Sequence, residues 1–144
     1  MDKTQAAGQQ VQPYLFFDGK CEEAINFYKS ALGAKVDMLM RFKDSPETGD
    51  NSRMPADRNK IMHASFRIGE TNIGASDGSC LGPATFKGFS LALKVDSDAD
   101  AERLFKALGD GGTVHQPLIK TFFASRFGML ADRFGIGWMV LTKE

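Results

Sequence analysis

The chain has 144 residues, 42% of them hydrophobic, enough for one substantial core and rarely for two independent ones. Its 18 basic residues balance 18 acidic ones and no Lys/Arg run exceeds two, so neither nucleic acid nor a membrane surface is an expected partner. The opening MDKTQAAGQQ lacks the apolar stretch of a signal peptide, and no apolar run approaches the roughly 20 residues that span a bilayer, which together predict a cytoplasmic protein.

In chain order, residues 1–10 read as a flexible N-terminus and PYLFFD as a first strand. Cys21, Ala24, Ile25, Tyr28 and Leu32 recur at helical spacing, which predicts a helix over 20–32 closed by Gly33. AKVDMLMRF reads as a strand. KDSPETGDNSRMPADRN, residues 43–59, is polar, carries two prolines and is long for a hairpin connection, so it is either an insertion or a lid. KIMHASFRI alternates as a strand does, with Met62, Ala64, Phe66 and Ile68 on one face and His63, Ser65 and Arg67 on the other; TNIGASD follows as the next strand. DGSCLGPATFK, residues 77–87, is rich in glycine and small polar residues and reads as a linker. GFSLALKVD is then a strand with Phe89, Leu91, Leu93 and Val95 on its apolar face. A second amphipathic helix is predicted over 97–109, capped by Ser97 and ended at Gly109. GTVHQPLI, TFFASRFGML and GWMVLT complete the strands.

The order repeats. KSALGAKV and KALGDGGTV end the two helices, and each half reads β-α-β-β-β. We therefore expect a single α+β domain over 1–144, with module 1 at 11–76, the linker at 77–87 and module 2 at 88–144. Ala31 and Ala107 are 76 positions apart, as are His63 and Met139, while Pro13 and Ser90 are 77 apart. That spacing pairs His63 with Met139 and Pro13 with Ser90 as repeat mates. Cys21 and Cys80 stand alone and read as free thiols.

PYLFFDGKCEEAINFYKSALGA, IMHASFRIGETNIGASD, GFSLALKVD and KTFFASRFGMLADRFGIGWMVL together resemble the PhnB-like branch of the vicinal oxygen chelate superfamily, over roughly residues 11–142. That superfamily includes glyoxalase I, bleomycin-resistance proteins and extradiol dioxygenases, and the branch is labelled 3-demethylubiquinone-9 3-methyltransferase-like. The resemblance implies tandem modules forming a cupped, half-barrel mixed sheet with the helices outside. It also implies a homodimer, often with cups completed across the interface. Metal-dependent members hold their ion through one side chain from the first and one from the last strand of each module. Fitted to this chain, those positions are Pro13, His63, Ser90 and Met139, of which His63 alone is a good ligand, so no catalytic metal is expected. His115 falls away from the fitted positions. Asp132 occupies a turn that often reads Asp-Pro-x-Gly in the superfamily. No glycine-rich strand-to-helix turn of the kind that cradles S-adenosylmethionine is present, so methyl transfer is not expected either.

The expected cup lining is His63, Arg67, Ser90, Met139, Leu15, Phe17 and Phe123, a mixed surface suited to a small organic ligand. His63 is either a ligand contact or a structural histidine, and Arg67 either an anion contact or a rim charge. Two functions stay open at this point. One is a binding protein without a metal; the other is a metal-assisted lyase, isomerase or dioxygenase.

Overall fold

A computed structural model describes residues 8–45 and 55–143. Part of the 43–59 connection and the first seven residues lie outside the described residues, and with them the choice between insertion and lid. The elements run β1 (Tyr14–Phe16), α1 (Cys21–Leu32), β2 (Lys35–Arg41), a short 3-10 turn (Phe42–Asp44), β3 (Ile61–Ile68) and β4 (Thr71–Ser76). Then follow β5 (Leu91–Val95), α2 (Asp98–Gly109), β6 (Thr113–Ile119), β7 (Phe127–Ala131) and β8 (Gly137–Thr142). Two four-stranded sheets result, ordered β1-β4-β3-β2 and β5-β8-β7-β6, and neither is closed. In each, the first strand runs parallel to the last and the remaining pairs are antiparallel. The duplicated β-α-β-β-β plan is thus realised strand for strand.

Local chemistry explains the helix ends. The Ser97 hydroxyl accepts the Asp100 amide at 3.1 Å, satisfying an orphan donor of α2. At the start of α1, Lys20 offers no such cap, and the carboxylate of Asp77 serves instead, accepting the amides of Gly19 and Cys21 at 2.8 Å each. Gly33 ends α1 in the left-handed region at φ 68°, where its amide reaches back to Lys29. The second helix keeps its expected limits but not the expected glycine stop. It runs through Gly109, turns extended at Asp110, and the left-handed glycine is Gly111 at φ 79°.

One face of each sheet packs on the helices, and the inner faces of both modules meet in one core. Leu15, Ala64, Phe66, Ile73 and Ala75 come from the first sheet; Val95, Leu130, Trp138 and Val140 come from the second. Tyr28 of α1 lies between them, 6.1 Å from Phe66 and 5.7 Å from Trp138 by ring centre. Its hydroxyl donates to Asp132 at 2.5 Å, and the same carboxylate accepts Trp138 Nε1 at 2.9 Å. Asp132 also accepts the amides of Phe134 and Ile136, so this turn residue joins the modules as well as shaping its own turn. The opposite faces of the two sheets point away from the shared core. No helix among the described residues is long and apolar enough to cross a membrane, and both cysteines are free.

Candidate functional site

The outward face of the first sheet carries the candidate site. In β3, Ala64 and Phe66 are buried, so strand alternation turns His63, Ser65 and Arg67 outward. In β2, Leu39 packs on the core, which turns Met38 and Met40 outward, opposite Ser65 and His63 in register. In β1, Leu15 is buried while Tyr14 and Phe16 are 40% and 56% exposed. Tyr14 pairs with Gly74 of β4, and its ring lies across that glycine: a Cβ built there would stand 2.5 Å from Tyr14 Cδ2. Glycine therefore lets the phenol lie flat and reach His63.

The hydroxyl of Tyr14 and Nδ1 of His63 are 2.7 Å apart, and the rings stack at 5.6 Å with planes 18° apart. The two side chains fix one another on an open surface. Partial burial, with a smaller effect from Cys21, raises the Tyr14 pKa above its ordinary value, so at neutral pH the phenol is protonated. One ring nitrogen of His63 is thus engaged and its Nε2 is left as the outward polar atom.

Only part of the expected lining comes together here. His63 and Arg67 share this face, but Arg67 already pairs with Asp37 at 2.9 Å, so the rim-charge reading is the one its surroundings support. Met139 lies on the outward face of the second sheet, and Phe123 sits in the β6–β7 connection against Phe122 and Phe127. Ser90 precedes β5 and shares with Pro13 a cavity of about 750 Å³ that His63 does not line. Leu15 and Phe17 require correction. They are 4% and 3% exposed and belong to the core, and Tyr14 and Phe16 take the outward positions. All four of Tyr14, Leu15, Phe16 and Phe17 are apolar or aromatic, so alternation alone could not say which pair faces in. Tyr14, Phe16, Met38, Met40 and Gly74 are the site residues sequence reasoning missed. The glycine within TNIGASD was the available clue, since a strand glycine often marks a close approach.

The repeat-mate assignment also changes. Ile61 and Asp77 exchange backbone and side-chain hydrogen bonds, and Arg126 and Thr142 do the same. Those pairs align Asp77 with Thr142, a separation of 65, and hence Gly74 with Met139. His63 is on the third strand of its module rather than the last. Spacing at the helices does not carry to the last strands because the long 43–59 connection of module 1 has no counterpart of that length between β6 and β7.

A catalytic metal does not fit these positions. First- and last-strand outward residues are Tyr14 and Gly74 in one module and Ala92 and Met139 in the other, a set without imidazole or carboxylate. Among the described residues, no group of three or more His, Cys, Asp or Glu stands together. His115 is exposed on β6, on the other sheet.

Paired β-α-β-β-β modules are the plan of the glyoxalase/bleomycin-resistance fold, and solved proteins of that fold match this chain at 17% identity. Within it, this chain belongs to the PhnB-like family described as 3-demethylubiquinone-9 3-methyltransferase, whose model matches residues 9–141. It is 32% identical over 136 residues to protein YjdN of Escherichia coli, covering 90% of this chain and 92% of that one. Protein PA1353 from Pseudomonas aeruginosa matches at 44% identity with a TM-score of 0.82, over 94% of this chain and 98% of that one. The PhnB protein of Bacillus cereus matches at 26% identity and TM-score 0.77, over 93% and 99%.

Proposed function

We propose that this protein binds a small organic molecule against the outward face of its first sheet, around Tyr14 and His63, without a catalytic divalent metal. The observation that carries the reading is the Tyr14–His63 hydrogen bond on an open face flanked by Phe16, Met38 and Met40. Pre-oriented polar atoms within an apolar surround are what a ligand site needs for orientation and affinity. Neither module closes a cup alone, and the second sheet's outward face is also apolar, with Phe127, Met129, Met139 and Leu141. A second copy of the chain covers these faces, forming a homodimer in which Met139 and Phe123 of one copy complete the lining around His63 of the other. The methyltransferase description of the family finds little support in the fold. Its parallel strand pairs sit at sheet edges, and no doubly wound sheet offers the crevice that holds S-adenosylmethionine.

The test is a thermal-shift screen of small aromatic and carboxylate compounds, followed by titration of the hits. Binding should weaken strongly in His63→Ala and be unaffected by His115→Ala. A ligand whose affinity ignores His63 and depends on Ser90 would move the site to the 750 Å³ cavity and overturn the reading. Light scattering should give twice the 15.8 kDa chain mass; a single-chain mass unchanged on concentration would remove the dimer. Elemental analysis should find well under one equivalent of Zn, Ni, Mn or Fe.

A further inference from the structure

Met38 and Met40 pose a separate question, because β2 turns two unbranched thioethers outward on either side of Leu39, which packs against the core. Met38 is 41% exposed, and Met40 is the direct cross-strand partner of His63. The register is regular from Met38 to Met40, pairing Met38 with Ser65, Leu39 with Ala64 and Met40 with His63. Directly opposed residues hold their Cβ atoms roughly 5 Å apart and diagonal ones roughly 7–8 Å apart, within reach of flexible methionine side chains. Two thioether sulfurs and one imidazole can therefore meet above a single patch of sheet.

We propose that Met38, Met40 and His63 form a binding site for a soft monovalent cation, Cu(I) or its redox-inert analogue Ag(I). Neutral sulfur donors favour soft ions of low charge, and imidazole serves copper well. Asp37, next to Met38 in the chain, is paired with Arg67, and Met38, Met40 and His63 bring no carboxylate that would favour a hard divalent ion. Tyr14 supplies the outer contact that histidine ligands usually have. With Nδ1 held at 2.7 Å from the phenol oxygen, a tautomer donating from Nδ1 leaves the Nε2 lone pair free for the ion and fixes the ring. The proposed ion is held, with no electron transferred and no bond in another molecule broken. It shares His63 with the proposed small-molecule site but does not rest on that reading.

The experiment uses the full chain carrying Cys80→Ser, which removes the half-exposed thiol as a competing soft ligand; Cys21 is wholly buried. Methionine methyl groups labelled with carbon-13 are followed by NMR during titration with Ag(I). The expected result is saturation at a single equivalent, with the Met38 and Met40 signals moving most and that of Met62 still. Tyr14→Phe should weaken binding by about tenfold, and the double variant Met38→Leu/Met40→Leu should abolish it while keeping a wild-type methyl spectrum elsewhere. Zn(II) should move nothing. Binding that survives the double variant, or a shift equally strong at Met62, would overturn the proposal. Silver binding without any small-molecule hit, or the converse, separates the two readings.

Discussion

The two modules share one plan and close it with different chemistry. At the end of β4, the Asp77 carboxylate accepts three amides: Gly19, Cys21 and Ile61. At the matching place at the end of β8, the Thr142 hydroxyl accepts the Arg126 amide at 3.1 Å and meets Ser125 at 2.8 Å. Module 1 must cap its helix from a distance, because Lys20 cannot; module 2 caps its own with Ser97 and needs only a hydroxyl at the strand end. The outward faces differ in the same sense. Module 1 sets Tyr14, His63 and Arg67 among its apolar groups, whereas on β5, β7 and β8 of module 2 the outward groups are carbon and sulfur apart from Lys94. Duplication supplied the scaffold twice, and the strands that match β1, β3 and β4 carry their polar groups in one copy, while β6 of the other keeps His115 and Gln116.

Four experiments sharpen that contrast. Asp77→Ala should have the largest effect, destabilising by about 3 kcal/mol or more, because two fully buried amides lose their acceptor at once; chemical denaturation measures it. Gly74→Ala comes next at about 1–3 kcal/mol, since its methyl meets the Tyr14 ring at 2.5 Å and forces the ring off the sheet. Loss of the Tyr14–His63 contact in that variant should appear in histidine NMR. The third is alkaline titration. Burial, then Asp77 and Glu22, push the Cys21 thiol well above its ordinary range, and burial with Asp132 does the same for Tyr28. Both groups keep their protons in the folded state and lose them when unfolded. Stability is therefore full below the unfolded thiol pKa of about 8.5 and falls above it by about 1.4 kcal/mol per pH unit for each group engaged. Cys21→Ala should shrink the decline, leaving the smaller part that Cys80 contributes until tyrosine begins to ionise, while no variant in α2 should alter it, its buried residues being Ala101, Phe105 and Leu108. The smallest effect belongs to Thr142→Val, about 1 kcal/mol, the counterpart of the Asp77 change in the plainer module.

Much of this contrast was legible from the residues. Helix spacing, the Ser97 cap, the Gly33 stop and the strand alternation around Phe66 and Trp138 are local signals, and they placed the elements and their inner faces correctly. The inward face of β1 was not legible, because an all-apolar run of four has no polar phase to read. The constant repeat offset failed for a different reason: a long connection in one module displaces the strands that follow it without disturbing the helices before it. Asp132 was read as a turn residue, which it is, but its bonds to Tyr28 and Trp138 span 104 and six positions, and only the longer of them is beyond local reasoning. The candidate site suffered most, since Tyr14 and His63 lie 49 residues apart and meet through sheet pairing.

Trp138 is the one tryptophan of the chain, 3% exposed, with its indole nitrogen bonded to Asp132 and its ring beside Tyr28 of the other module. The seam between the halves is thereby wired to an optical reporter. Water reaching that ring shifts its emission to the red, and separation from Tyr28 ends the energy it receives from the phenol. A state in which the halves come apart while each keeps its strands would change colour without changing its far-ultraviolet dichroism, so coincidence or divergence of the two signals distinguishes undocking from unfolding with no label attached.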